Sequence, residues 1–422
     1  MKLLEIPYEK EKLTNGLEII LYQNITIPFI AVNIWYRTGS ANEKKGKTGL
    51  AHLFEHMMFQ GSKNVPKEMH FRYIQEAGGT LNASTSFDRT NYFEKLPAND
   101  LELALWLESD RMGFFLDSLD QIKLNNQRSV VLNERLERYD NQPYGLAWEK
   151  LISSLYPEDH PYSWPTIGYA KDIESYNLED VSNFFKSYYS PSNATIVVAG
   201  NFESDRVKNL IGKYFNAISS NGKPEKLFSD SVRLKEEKHI LLEDKITLER
   251  IYFAWHSPKA FQDDDAALDI LSDLLTGSKN ARLTRKLVYE LEIAQDVSAM
   301  QFSGKYGGHF MIMVTAKPGK SLDEIKKIVF DEISILARTS ISQHELDRSK
   351  NVIKSNFIYS LQNIDTVADM LNLYNFYLDE PNSFNFDLNR YNKVKQNEIS
   401  TAVKKYLQKN YVELRIVPEK KA

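Results

Sequence analysis

What most constrains the fold of this chain is that it repeats itself. Gly61-Ser62-Lys63-Asn64 recurs as Gly277-Ser278-Lys279-Asn280, 216 positions on (277 − 61). Lys186-x-Tyr188, which precedes an apolar run, recurs as Lys404-x-Tyr406, 218 positions on (404 − 186). A shared tetrapeptide is often coincidence, but two matches at nearly one offset argue for an internal duplication. At 422 residues the chain is also too long for one ordinary core. The expected organisation is a domain over 1–217, a linker over 218–238 and a second domain of similar fold over 239–422. Residues 217–226, rich in Ser, Gly, Lys and Pro, have the composition of such a linker.

Local patterning fills in the first half. Residues 17–22 and 29–36 read as strands, 80–87 and 91–96 as a strand pair, and 195–200 as a buried strand. Helical periodicity covers 47–59, 71–77, 101–116 and a long stretch from about 122 to 156. The fold class expected is α+β: two homologous α/β sandwiches, each a mostly antiparallel sheet with helices packed on one face.

The chemistry is concentrated in Gly49-Leu50-Ala51-His52-Leu53-Phe54-Glu55-His56-Met57-Met58-Phe59. On a helix, His52, Glu55 and His56 are spaced i, i+3, i+4 and share one face. Two imidazoles from one turn can hold one side of a tetrahedral zinc, and the carboxylate between them can reach a water in the open position. The order His-x-x-Glu-His is the inverted form of the commoner His-Glu-x-x-His zinc-peptidase motif. The chain has only 8 His, so a chance occurrence is improbable; the plainer alternative is two partly buried histidines satisfied by hydrogen bonds. Shifted by 216, the motif falls on Leu268, Leu271 and Ser272, so the second half cannot hold zinc in the same way.

A third protein ligand is needed. The chain has no Cys, which excludes disulfides and thiolate sites and leaves a carboxylate as the expected ligand. By spacing alone Glu102, Glu108, Glu134 and Glu137 all qualify, and an exposed helical Glu is usually just solvated.

Four segments together carry a family resemblance. They are residues 49–64, the strand Gly78-Gly79-Thr80-Leu81-Asn82-Ala83-Ser84-Thr85, Gln127-Arg128-x-Val130-Val131-x-x-Glu134, and Tyr188-Tyr189-Ser190-Pro191-Ser192-Asn193. In order and spacing the chain resembles the pitrilysin and mitochondrial-processing-peptidase family, most of all its short bacterial members. The resemblance implies one zinc per chain held by His52, His56 and Glu134, with Glu55 as the base that takes the proton of a zinc-bound water. It implies that Asn82, Ala83 and Ser84 lie on an edge to which an extended peptide adds by main-chain hydrogen bonds. Family members often carry a second Glu seven residues before the third ligand; here Gln127 stands there, able to hydrogen-bond a ligand but not to charge it.

A second departure concerns the other half. Many active members carry Arg-x-x-x-x-x-x-Tyr there, and alignment puts Val288 and Gln295 at those positions. The resemblance then implies the metal-bearing half of a heterodimer, completed by a homologous chain that supplies Arg and Tyr; a homodimer is the alternative. A shifted alignment would leave Arg282, Arg285 or Tyr289 for the role. The activity implied is a zinc metalloendopeptidase acting on extended or unfolded peptides. The alternative from another class is a non-catalytic assembly or chaperone-like subunit of the same fold.

Charge and hydropathy exclude other classes. A net charge of −4 gives no reason to expect nucleic acid. No apolar run approaches the roughly 20 residues that cross a bilayer, so no membrane partner is expected. The first 13 residues lack the apolar core of a signal peptide. The expected compartment is cytoplasmic as the chain stands, or periplasmic if a leader was removed.

Overall fold

The computed structural model describes residues 4–222, 224, 227 and 232–419. Residues 223, 225, 226 and 228–231 of the expected linker lie outside the described residues, as do the first three positions of the chain.

The first sheet contains β1 (Glu9–Lys12), β2 (Glu18–Gln23), β3 (Phe29–Tyr36), β4 (Thr80–Thr85), β5 (Thr90–Pro97) and β6 (Ala194–Gly200). The order across it is β1-β2-β6-β3-β5-β4, antiparallel throughout except for the β2–β6 pair. The second sheet contains β7 (Lys238–Asp244), β8 (Arg250–Ser257), β9 (Ala294–Ser303), β10 (Gly308–Ala316) and β11 (Val412–Pro418), in the order β7-β11-β8-β10-β9. Its one parallel pair is β7–β11. Leaving β1 aside, the two sheets have the same topology: first strand, last, second, fourth, third. The sequence repeats sit at matching places. Each Gly-Ser-Lys-Asn run follows the helix after the second of these five strands. Each Lys-x-Tyr closes the helix before the last one, Leu178–Tyr188 and Gln396–Tyr406. The expected α+β fold of two homologous sheet-and-helix domains is what the structure has.

The two compact units are not continuous stretches of chain. One comprises Met1–Arg135, Trp164–Leu227 and Ile358–Asn385; the other comprises Leu136–Ser163, Phe228–Phe357 and Phe386–Ala422. Each half of the sequence therefore lends a segment to the other half's sheet. In the first unit, α1 (Leu50–Met57), α2 (Met69–Glu76), α3 (Leu101–Phe114) and α4 (Gln121–Arg135) come from the first half. The opposite face of the sheet takes the helix Ile364–Leu378, which packs on β3 and β6.

That helix explains a polar residue in an apolar strand. Asn33 is buried in β3 and gives its side-chain N–H to Asp369, which also accepts from Trp35 Nε1 (2.9 Å) and Asn91 Nδ2 (3.2 Å). Asn372 donates to the Asn33 carbonyl and Asn375 to Glu18. In the second unit, alternate residues of β8 and β10 (Ile251, Phe253, Trp255; Phe310, Ile312, Val314) enter the core under its own helices. His256 and His309 face the other way, against Trp148 and Tyr156 of the exchanged segment.

The helical stretch expected from 122 to 156 is broken at the unit boundary. Ordinary helix ends at Arg135, Leu136–Asp140 winds wider, and helix resumes at Ala147. Asn141, Pro143 and Gly145 lie in the break, and Tyr144 adopts φ 61, a left-handed conformation that interrupts a helix.

Candidate metal centre

Helix α1 is short but strongly anchored. Leu50, Leu53, Phe54 and Met57 bury one side, while His52, Glu55 and His56 occupy the half-exposed side. Phe54 is packed among the rings of Phe115, Phe184 and Tyr189. Such aromatic pairs are each worth ~1 kcal/mol beyond the area they bury. At the N-terminus the Glu43 carboxylate accepts from the backbone N–H of Gly49 and Ala51, both at 2.8 Å. It satisfies two donors that a helix start leaves open. Burial nonetheless pushes the Glu43 carboxyl well above the usual range, against those hydrogen bonds. Gly49 has φ 89 and lies against the backbone of Ile167 and Gly168, so a side chain there is excluded twice over.

Helix α4 brings the third group. Arg135 Nη1 donates to the Gly168 carbonyl (2.7 Å), which ties the end of α4 to the loop that buttresses Gly49. The neighbouring Glu134 then projects at the two histidines. Its Oε2 is 3.2 Å from His56 Nε2 and 3.8 Å from His52 Nε2. One ligand atom from each of His52, His56 and Glu134 lies within 4.8 Å of the others. Two imidazole nitrogens and a carboxylate oxygen converging from two helices are a donor set that fits a three-ligand zinc site with an open position. The other carboxylates left open by spacing are elsewhere: Glu102 bonds Lys213 and Tyr214, Glu108 is buried against Arg111, and Glu137 lies past the unit boundary. Gln127 sits buried two turns before Glu134 on α4.

Glu55 lies between the two histidines in sequence, and its Oε2 accepts a 2.6 Å hydrogen bond from Thr85 Oγ1 of β4. Burial raises the Glu55 carboxyl above its ordinary value, and the Thr85 bond and the neighbouring His56 pull it back down.

Strand β4 is the outer strand of its sheet. The hairpin closes with Ser86 N–H on the Arg89 carbonyl, and the register pairs Thr85 with Thr90, Ser84 with Asn91 and Ala83 with Tyr92. Hydrogen-bonded and non-bonded pairs alternate in an antiparallel ladder. Ser84 therefore bonds inward, while Ala83 and Thr85 turn their main-chain groups to the open edge. Asn82 Oδ1 accepts from the Ala83 N–H (2.9 Å), consistent with that group lying outside the ladder. The Ser84 hydroxyl is on the far face, donating to Asn91 and accepting from Arg89. Of the three residues expected at the edge, Ala83 alone presents its main chain there, and Thr85, not singled out from the sequence, joins it. The period-two alternation was the signal that would have paired them.

A second group of metal-ligand types, His70, Glu94 and Glu108, is fully buried. It already holds a cation: Arg111 binds Glu108 and approaches Glu94 at 3.5 Å, with its guanidinium over the Tyr92 ring. This is a packed polar cluster, and Tyr92, beneath the Arg111 guanidinium, ties it to α1 by donating its hydroxyl to the Phe54 carbonyl.

In the second unit the counterpart of α1, helix Asp265–Thr276, buries Leu268 and Leu271. Val288 is half-buried against the core there and Gln295 is exposed on β9. Arg282 is engaged by Glu332 and Glu345, and Arg285 by Glu290, so both are already paired within that unit.

Two family models match the chain: "Insulinase (Peptidase family M16)" over residues 19–167 and "Peptidase M16 inactive domain" over residues 175–353. Zinc protease PqqE of Helicobacter pylori is 31% identical over 371 residues, covering 86% of this chain and 82% of that protein. A probable mitochondrial-processing peptidase subunit beta of Arabidopsis thaliana is 24% identical, over 85% of this chain and 68% of that one. Among solved structures, a protease from Helicobacter pylori matches with a TM-score of 0.91 at 27% identity, covering 98% of this chain and all of the other.

Proposed function

The chain belongs to peptidase family M16, and from that premise we propose that it is a zinc-dependent metalloendopeptidase acting on extended or unfolded peptides. The observation that carries this reading is the convergence of His52, His56 and Glu134 within 4.8 Å beside a carboxylate, Glu55, that is not needed to hold a metal. A purely structural site gives no reason for that adjacent carboxylate. Names of relatives at 31% and 26% identity include "zinc protease", which supports the choice of metal.

Zinc, when bound, supplies a Lewis acid that acidifies a water and polarises a carbonyl. The chain does the rest. His52, His56 and Glu134 would hold the ion. Glu55 would take the proton of the attacking water on a carboxylate oxygen and release it to the leaving amine. The open edge at Ala83 and Thr85 would pair with substrate main chain, selecting extended conformation over sequence.

The reading includes a partner. Val288 and Gln295 offer no charge-assisted hydrogen bond to a substrate carbonyl, and Arg282 and Arg285 are paired with acids. A homologous chain bearing Arg and Tyr at those positions would complete the site as a heterodimer; two copies of this chain would both lack the pair. The relative from Arabidopsis thaliana is itself named as a subunit.

The test is metal analysis of the purified chain together with cleavage of an unstructured peptide, alone and after addition of such a homologue. One zinc per chain and turnover that rises on mixing are expected. Zinc without turnover in either preparation would favour the non-catalytic subunit. Equal rates with and without the homologue would remove the partner while leaving the peptidase.

A further inference from the structure

Thr85 ends the strand that helps to carry the family resemblance, but the sequence alone assigned it no role. Its side chain points to the face of the sheet that carries α1, where its hydroxyl donates to Glu55 Oε2 at 2.6 Å. That length is in the range of a charge-assisted O–H···O⁻ bond. Its main chain, by the alternation of the ladder, faces the open edge beside that of Ala83. One residue thus touches the carboxylate of the site with its side chain and the substrate edge with its backbone.

Building on the proposed peptidase reading, we infer that Thr85 is a positioning residue that fixes the rotamer of Glu55, committing one carboxylate oxygen to its own hydroxyl and leaving the other to meet the water. A glutamate has three side-chain torsions to settle, and it loses most of its rotamer freedom only if something holds its end. Inside the site the histidines are committed to the metal, and Glu134 repels another carboxylate. The Thr85 hydroxyl is a neutral donor that orients Glu55 without binding the metal. Its rigid, β-branched attachment to a strand makes the donor itself well placed. Because the same residue forms part of the edge, a peptide that pairs with β4 docks against the strand that aims the base. The carbonyl to be attacked and the proton acceptor are then set by one element, the kind of alignment on which catalytic rates depend.

The strand is in turn braced from its far face. Arg89 donates to the Ser84 carbonyl (2.8 Å) and to Asn91 (3.0 Å) and stacks over Trp35, while Asn91 donates to Asp369 of the helix Ile364–Leu378. These contacts tie the strand that carries Thr85 to its neighbour β5 and, through Asn91, to that helix.

The test compares Thr85→Val, which keeps the shape and removes the hydroxyl, with Thr85→Ser, which keeps the hydroxyl. Both are measured in whichever preparation, alone or with a partner, the unsubstituted chain cleaves. Thr85→Val should lower kcat at least tenfold with KM within twofold, at unchanged zinc content and unchanged Tm of the metal-free chain. Thr85→Ser should stay within threefold of the parent. In a Glu55→Gln background, Thr85→Val should leave the Kd for a fluorescent unstructured peptide unchanged. Should Thr85→Val not fold, Thr85→Ala carries the same comparison. Full turnover in Thr85→Val, equal damage in Thr85→Ser, or a weakened Kd would each overturn the positioning role while the peptidase reading stands. A zinc-loaded parent that cleaves nothing in any preparation would overturn both.

Discussion

At the residue scale, the proposed roles separate the groups that would hold a metal from the one that would use it. Glu134 and Glu55 are both carboxylates near two imidazoles, but Glu134 points its oxygen at both Nε2 atoms and Glu55 is drawn off toward Thr85. The two should fail differently. Glu134→Ala removes one of three donors and should strip zinc at micromolar free metal, read by elemental analysis after dialysis. Glu55→Gln keeps the metal, because the amide still fits, but cannot take a proton; turnover should fall by roughly 10²–10⁴, the usual worth of a general base. Undiminished cleavage by Glu55→Gln would sink the base assignment. The His-x-x-Glu-His spacing marked three of these residues, since one helical turn is enough to place them. Glu134 needed the family resemblance, because its approach depends on how α4 lies against α1.

At the element scale, the exchanged helix Ile364–Leu378 is held to the first sheet by polar contacts. Asp369 collects three donors from β3 and β5, among them the indole N–H of Trp35 and the buried amide of Asn33. Asp369→Ala leaves those donors buried and unbonded, a loss of about 2–4 kcal/mol. It should appear as a lower denaturant midpoint with the m-value unchanged. Asp369→Asn keeps an acceptor oxygen and should recover about half of the loss. A midpoint unmoved in Asp369→Ala would mean that the helix is held by its apolar contacts alone. Nothing in residues 364–378 announces which sheet they cover. The periodicity reports a helix with an apolar side; Asn33 in an apolar strand was the only local hint that a polar partner comes from elsewhere.

At the scale of the whole molecule, the second unit carries a built-in sensitivity to acid. Burial holds His256 down to about 4 and His309 down to about 3, so both are neutral in the fold. In the unfolded chain a histidine takes its proton near 6.5. Their contribution to stability is therefore complete above pH 6.5 and is lost as pH falls toward 4 and 3. At pH 5 that is about 2 kcal/mol for each histidine. Asp269 works in the other direction: burial lifts it to about 7, so it favours the fold as pH drops below that value. The clean measurement is a difference. With metal-free protein, the stability gap between the parent and His256→Gln should shift in favour of the variant by about 2 kcal/mol between pH 7 and pH 5. A gap that stays constant over that range would show that His256 is not held neutral.

The sequence by itself determined the class of fold, the duplication and the three-residue face of α1. Each rests on spacing within a single element, or on two similar elements recurring at one offset, and spacing is fixed by the backbone repeat alone. Only the tertiary structure decided which segments make up each unit. The crossing at 136 lies inside a stretch that reads as continuous helix, and the contacts that draw this segment and residues 358–385 across are made by residues far away in the chain. It also decided that Thr85 and Ala83, not Ser84, face the open edge. A strand's two sides look alike in sequence until the ladder shows which pairs carry the hydrogen bonds.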